Sequence, residues 1–127
     1  MILKRLAIAI LPLLVASCGG STTGYAPDVP TNSPPIVSRV DPNSGGPGSE
    51  VTIFGFGYTI SVPENIVVIG GVATNATSYR LLSNPTSTEI EAITVDVPAN
   101  ANVGEGPIYV IIYDNVSNAD VSFTVTP

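Results

Sequence analysis

Chemistry in this chain has to come from carboxylates, amides, hydroxyls and a single thiol. The 127 residues include no histidine, no tryptophan and one cysteine, Cys18. Without histidine the chain lacks the usual general base and the commonest metal ligand. Serines are plentiful, but the only lysine that could stand in as a base is Lys4, close to the N-terminus, so nucleophilic catalysis has no activating partner. Glu89 and Glu91 are two residues apart, which on one strand face puts their side chains roughly 6–7 Å apart. That separation suits the paired carboxylates of glycoside hydrolysis. It equally describes a solvated strand face or a charged edge that discourages aggregation. Asp114, Asn115, Asn118 and Asp120 gather oxygen-bearing side chains in a short stretch. Calcium takes such hard ligands, and hairpin turns take the same residues because they tolerate left-handed backbone. The glycine pair Gly70-Gly71 is no phosphate cradle, since no helix pattern follows it and no lysine is near. Asn75-Ala-Thr77 and Asn115-Val-Ser117 match the N-glycosylation triplet, and are read as coincidental. The chain is thus expected to be no enzyme and to need no cofactor and no resident metal.

The thiol has a more specific setting. Lys4 and Arg5 precede an apolar run from Leu6 to Val15, which is followed by the small residues Ala16 and Ser17 and then Cys18. A positive segment, a short apolar segment and small residues are the order of an export signal. The run is too short to span a bilayer, which takes about 20 apolar residues. Leu14-Val15-Ala16-Ser17-Cys18 resembles the lipobox of bacterial lipoproteins. That resemblance implies acylation of Cys18, which would become the first mature residue. The competing reading is an ordinary secretory signal beside an incidental free thiol. Lipidation explains better why an exported chain carries one unpaired cysteine, and several acyl chains at about 0.8 kcal/mol per buried methylene hold a protein almost irreversibly. In such lipoproteins an Asp after the cysteine favours the inner membrane. Gly19 stands there, which implies a cell-envelope location at the outer membrane.

Charge narrows the partners. The formal net charge is −6, from 4 basic and 10 acidic residues, and loss of Lys4 and Arg5 with the signal makes it −8. A surface this acidic repels phosphate backbones, which bind through Lys and Arg, so no nucleic acid is expected. Residues 1–17 are read as the signal peptide. Residues 18–34 are read as the lipidated cysteine and a disordered tether, rich in Gly, Ser, Thr and Pro, that buries too little apolar surface to order itself. Residues 35–127 are enough for one small domain, and apolar alternation runs to the end, which predicts no further domain after it.

That domain reads as all β. The turn cluster Asp41-Pro-Asn-Ser-Gly-Gly-Pro-Gly48 precedes the period-two run Val51-Thr-Ile-Phe-Gly55. Asn65-Ile-Val-Val-Ile69, Ile93-Thr-Val-Asp-Val97, Ile108-Tyr-Val-Ile-Ile-Tyr113 and Val121-Ser-Phe-Thr-Val125 follow, separated by turn signals. Short strands at this spacing predict a two-layer antiparallel sandwich. Gly45, Gly48, Gly70 and Gly71 are expected in turns with positive φ. The Leu81–Thr88 connection carries no clear pattern, which leaves the fourth strand open.

These segments carry a resemblance. Pro42-Asn-Ser-Gly45, Gly48, Val51-Thr-Ile-Phe-Gly55 and Tyr58 resemble the opening of the IPT/TIG domain. Val67-Val-Ile-Gly-Gly71 is similar to its third-strand motif. Val95-Asp-Val-Pro98, Gly104-Glu-Gly106 and Ile108-Tyr-Val110 are similar to its closing half. The likeness spans essentially all of residues 35–127 and implies an immunoglobulin-like antiparallel β-sandwich. It departs at Tyr58, usually Phe, which can still pack with its hydroxyl at the rim. What the family implies is accessory contact rather than chemistry.

Alternation then assigns faces. Val51, Ile53, Val67, Ile69, Ile93, Val95, Val97, Ile108, Val110, Ile112, Val121, Phe123 and Val125 are expected between the sheets. Ile66, Val68, Tyr109, Ile111 and Tyr113 then point outward as an apolar patch of a kind monomers rarely expose without use. This is the expected partner surface, unless a loop such as Thr59–Pro63 folds over it. The expected role is a surface-tethered, non-enzymatic recognition or structural module of the cell envelope. Its expected partners are the membrane, through the N-terminal lipid, and an envelope protein or glycan. The alternatives are an accessory domain of an envelope enzyme complex and a calcium-stabilised adhesion module.

Overall fold

The structure, a computed structural model, describes residues 33–127, and Ser33–Pro127 forms one compact unit. The export signal over 1–17, Cys18 and all of the expected tether except Ser33 and Pro34 lie outside the described residues.

Eleven strands build two layers. In chain order they are β1 (Ile36–Asp41), β2 (Ser44–Gly45), β3 (Glu50–Phe56), β4 (Asn65–Ile69), β5 (Val72–Asn75), β6 (Ser78–Leu81), β7 (Glu91–Asp96), β8 (Gly104–Pro107), β9 (Tyr109–Ile112), β10 (Asn115–Val116) and β11 (Ser122–Val125). One layer has the order β1-β3-β7-β6. The other is built from β10-β9-β4-β5 and β2-β11-β8. These two sheets run together, because β8 and β9 flank Ile108 on one stretch of chain facing β10 and β11 on the other. The Ile108 N–H donates to Val121 O at 3.0 Å and the Ser117 N–H to Val110 O at 2.8 Å across that stretch. All pairings are antiparallel except β2 with β11, which is parallel.

Period-two sequence makes these strands two-faced. In β3, Val51, Ile53 and Gly55 are buried while Thr52, Phe54 and Phe56 are half-buried on the outside. Glycine is required at position 55: a Cβ there would collide with the Ile36 carbonyl and sit 2.5 Å from the Tyr58 hydroxyl. The Gly70-Gly71 turn joining β4 to β5 has φ of 58° and 77°, the positive pair that a two-residue hairpin matching the strand twist demands.

The core holds every expected residue, with Val121 only partly buried against it. Val37, Val40, Tyr58 and Ala76 join it from segments not read as core. The expected rim position of the Tyr58 hydroxyl is corrected: Tyr58 is buried and donates to Ile36 O at 3.2 Å. A second correction concerns Gly45. It lies in β2 opposite Val125 rather than in a positive-φ turn, because the chain after Pro42 runs alongside β11 and pairs with it. The fourth strand resolves as β6, and Leu82 to Ile90 forms the loop into β7.

Candidate functional site

The two carboxylates read as a candidate pair have separate structural partners. Glu89 accepts from Arg39 Nε at 3.0 Å and from the Ser38 hydroxyl at 3.1 Å. Arg39 in turn lies 3.9 Å from the centre of the Phe54 ring. Glu91 accepts the Tyr58 N–H at 3.0 Å and the Tyr79 hydroxyl at 2.6 Å. Burial and that bond to Glu91 push the Tyr79 phenol up to about 12, and burial pushes Tyr58 up as well, with Glu91 and Glu89 adding repulsion against a phenolate. Both glutamates therefore anchor the β1–β3–β7–β6 layer.

The Asp/Asn stretch is also engaged. Asn118 accepts the Val37 N–H through Oδ1 at 2.8 Å, and its amide nitrogen donates to Val37 O at 2.8 Å and to Asp120 Oδ1 at 2.6 Å. This carboxamide caps the outer edge of β1 as a neighbouring strand would. Asp114 sits in the turn between β9 and β10, and Asn115 is paired opposite Ile112. No group of three His, Cys, Asp or Glu side chains gathers among the described residues.

The expected partner surface lies on the outside of β10-β9-β4-β5. Register places Val116, Ile111, Ile66 and Asn75 in one cross-strand row. Tyr109, Val68 and Ala73 form the next row. Ile66, Tyr109 and Ile111 are half-buried, and Val116 is 51% exposed. Tyr113 is 65% exposed at the tip of the β9–β10 hairpin, with φ of 56°. Left-handed backbone is uncommon for an aromatic residue, and such strain clusters at sites of function. Beside it the Glu64 carboxylate, as a hydrogen-bond partner, holds the Tyr113 phenol above its ordinary value. Val68 is corrected: at 8% exposure it contributes floor rather than free surface, because β4 is an inner strand and Tyr109 and Ala73 flank it on both sides. The Thr59–Pro63 loop meets this face at its Asn75 end, where Pro63 O accepts the Asn75 amide at 2.6 Å, while Val62 packs on the core.

At the opposite end, around Tyr109 and Val68, the face opens into a cleft of about 240 Å³. Its walls are the Gly70-Gly71 turn on one side and Val103 to Pro107 on the other, with Asn102 at the end. The cause is local. Val110 bonds toward β10, so Tyr109 and Ile111 present their main-chain groups to β4, and the next position in that ladder is Pro107. Proline has no N–H to give. The β4 ladder therefore stops at Tyr109, and the strand turns to pair with β11 instead. Asn102 holds the opposite wall: its main-chain and side-chain N–H groups donate to Gly70 O at 3.0 and 2.8 Å. An aromatic ring, an apolar floor and glycine-thinned walls that leave main chain accessible are the ingredients of a small polar-ligand site.

No protein-family model and no curated protein matches the sequence. Solved structures do match it. An auxiliary nutrient binding protein of Bacteroides thetaiotaomicron superposes with a TM-score of 0.57 at 22% identity, over 77% of this chain and 22% of that one. An auxiliary nutrient binding protein of Bacteroides ovatus superposes at 0.51 and 20% identity, over 76% of this chain and 22% of that one. The SGBP-B protein of the Bacteroides ovatus mixed-linkage glucan utilization locus, in complex with a mixed-linkage heptasaccharide, gives 0.47 at 14% identity, over 91% of this chain and 25% of that one. What the chain shares with the two auxiliary nutrient binding proteins is an all-β sandwich. The chain spans about a quarter or less of each of these proteins.

Several placements had no counterpart in the sequence reading. Asn65 is fully buried, accepts the Thr59 N–H at 2.9 Å and donates to Thr59 O and Val62 O at 2.8 and 3.1 Å, which shapes the loop into β4. Neither this carboxamide nor that of Asn118 carries a periodic signal. The cleft did have a signal: Pro107 two residues ahead of Tyr109, in step with the β4 ladder.

Proposed function

We propose that the protein is a lipid-tethered, non-enzymatic module of the cell envelope that contacts glycan through the outer face of β10-β9-β4-β5. In this reading residues 1–17 are the export signal, Cys18 carries the lipid at the outer membrane, and 18–34 tether an IPT/TIG-like domain over 35–127. The observation that carries it is the apolar face that opens at Tyr109 and Val68 into a cleft. A tyrosine ring offers a flat apolar surface with a polar tip, which matches a sugar ring with C–H groups on its faces and hydroxyls around its rim. The sandwich shared with two proteins described as auxiliary nutrient binding proteins supports it. The test is retardation of the full chain in native gels cast with soluble polysaccharides. Slowed migration in at least one of them is expected, and unaltered mobility across neutral and acidic polysaccharides would contradict the proposal.

A further inference from the structure

We infer that the Tyr109 cleft is selective for neutral, hydroxyl-rich glycan and against acidic glycan, with Glu105 as the residue that sets this preference. The inference rests on the reading of this face as a glycan-contact surface. Its first support is the distribution of charge. Among the described residues the only cations are Arg39 and Arg80, on β1 and β6, and both strands belong to the layer without the cleft. The layer that forms the cleft has no cation of its own, while Glu105 lines the cleft and Glu64, Asp114 and Asp120 lie in its loops. A uronate or sulfate brought there meets like charge and finds no guanidinium to pair with.

The second support is the supply of hydrogen-bonding groups. The Thr124 and Thr126 N–H groups bond to Asn43 O and Gly45 O, so alternate main-chain groups of β11 face β2. The intervening residues Phe123 and Val125 face Gly106 and Gly104 of β8. By that alternation the N–H and C=O of Glu105, and the C=O of Pro107, point away from β11 toward the Gly70-Gly71 wall. Edge positions in strands usually attract another strand. Here Pro107 removes one donor and Glu105 adds a carboxylate, which leaves mostly acceptors. Sugar hydroxyls donate to carbonyl and carboxylate oxygens, and the carboxylate bond is the stronger kind. Glu105, Pro107, Tyr109 and Ile111 alternate onto one side of the chain, so the acceptor and the ring lie along one track with Pro107 between them, and both line the cleft. A neutral polyol satisfies both, and an anionic sugar satisfies only the ring.

The experiment measures dissociation constants of the full chain at low salt for glucomannan and for polygalacturonate, with wild type, Glu105→Gln and Arg80→Gln. Glu105 is exposed, so its substitution should leave the fold intact, and thermal unfolding checks this. Glucomannan is expected to bind at least tenfold more tightly than polygalacturonate. Glu105→Gln should weaken glucomannan about tenfold and narrow the gap to polygalacturonate, while Arg80→Gln, on the other layer, changes neither ratio by more than about twofold. Wild type that binds polygalacturonate as well as glucomannan, or glucomannan affinity indifferent to Glu105→Gln, overturns this inference and leaves glycan contact standing. Retention of neither polysaccharide, in a chain that still unfolds cooperatively, overturns both.

Discussion

Asn118→Ala removes a single side chain that does the work of a missing strand. β1 is the edge of its layer, and the two main-chain groups of Val37 that would face a further strand bond instead to the Asn118 carboxamide, each at 2.8 Å. Val37 is 2% exposed, so water cannot readily replace those bonds. A typical internal hydrogen bond contributes about 1 kcal/mol net, and a buried group left unpaired costs about 1–3 kcal/mol. Two bonds lost with one or both Val37 groups stranded gives about 2–4 kcal/mol. For a domain near 95 residues that is a large share of the about 5–15 kcal/mol typical of folded domains. It corresponds to a melting midpoint lower by about 10–25 °C and a urea midpoint lower by about 1–3 M. Asn118→Asp keeps the acceptor, loses the donor and sets a second carboxylate beside Asp120, so it should destabilise at neutral pH and partly recover in acid as a protonated carboxyl regains a donor. Both variants are compared with wild type by urea unfolding, with and without millimolar calcium. A loss below about 0.5 kcal/mol in Asn118→Ala, or a calcium-dependent rise in the wild-type midpoint abolished by it, would refute the strand-capping account.

Further expectations follow from the same layer and from the N-terminus. Gly55→Ala drives a methyl group into the Ile36 carbonyl and the Tyr58 hydroxyl, and should lower stability by about 1–3 kcal/mol or prevent folding. Tyr79, raised to about 12, and Tyr58, also raised, hold their protons more tightly folded than unfolded. The Tyr79 contribution is whole below pH 10 and is lost as pH rises through the window from about 10 to 12, while that of Tyr58, raised further by burial, is still falling at the top of that window. Thermal midpoints should therefore fall in that window, and Tyr58→Phe should flatten the fall. Cys18→Ser should leave the signal uncleaved and the chain without lipid, read by mass spectrometry of the N-terminal peptide. A soluble mature form with a free Cys18 thiol would count against lipidation.

The strands that could be read from the sequence are those whose β-branched residues alternate against the core: β3, β4, β7, β9 and β11. Of the others, β1 carries Ile36, Val37 and Val40, but a register shift between Val37 and Arg39 breaks their alternation, and the rest run to four residues or fewer. Gly104-Glu-Gly-Pro107 has no apolar alternation, yet it pairs along β11, because a ladder is made by main chain and tolerates glycine when a neighbouring strand is already in place. The placement of Tyr109 on the outer face of β9 is the one alternation predicts, whereas Tyr113 lies beyond the strand in the turn, with positive φ. Burial of Val68 did not, since it depends on which strand is central. The paired-glutamate pattern at Glu89 and Glu91 was legible, whereas their donors on β1, β6 and the loop after β3 are tertiary partners. Asn65 and Asn118 illustrate the same limit: a carboxamide that replaces main-chain pairing leaves no periodic trace, and its partners are 6 and 81 residues away.

Tyr109 is where the account is most exposed. The dissociation constant of the full chain for a soluble neutral polysaccharide is measured by isothermal titration, for wild type and for Tyr109→Ala. The ring lies half-buried on the sheet face and lines the cleft, so its loss should weaken binding by tenfold or more, about 1.4 kcal/mol. The melting midpoint should change far less than in Asn118→Ala. Affinity unchanged in Tyr109→Ala, with the fold intact, would contradict the claim that this face is the glycan-contact surface.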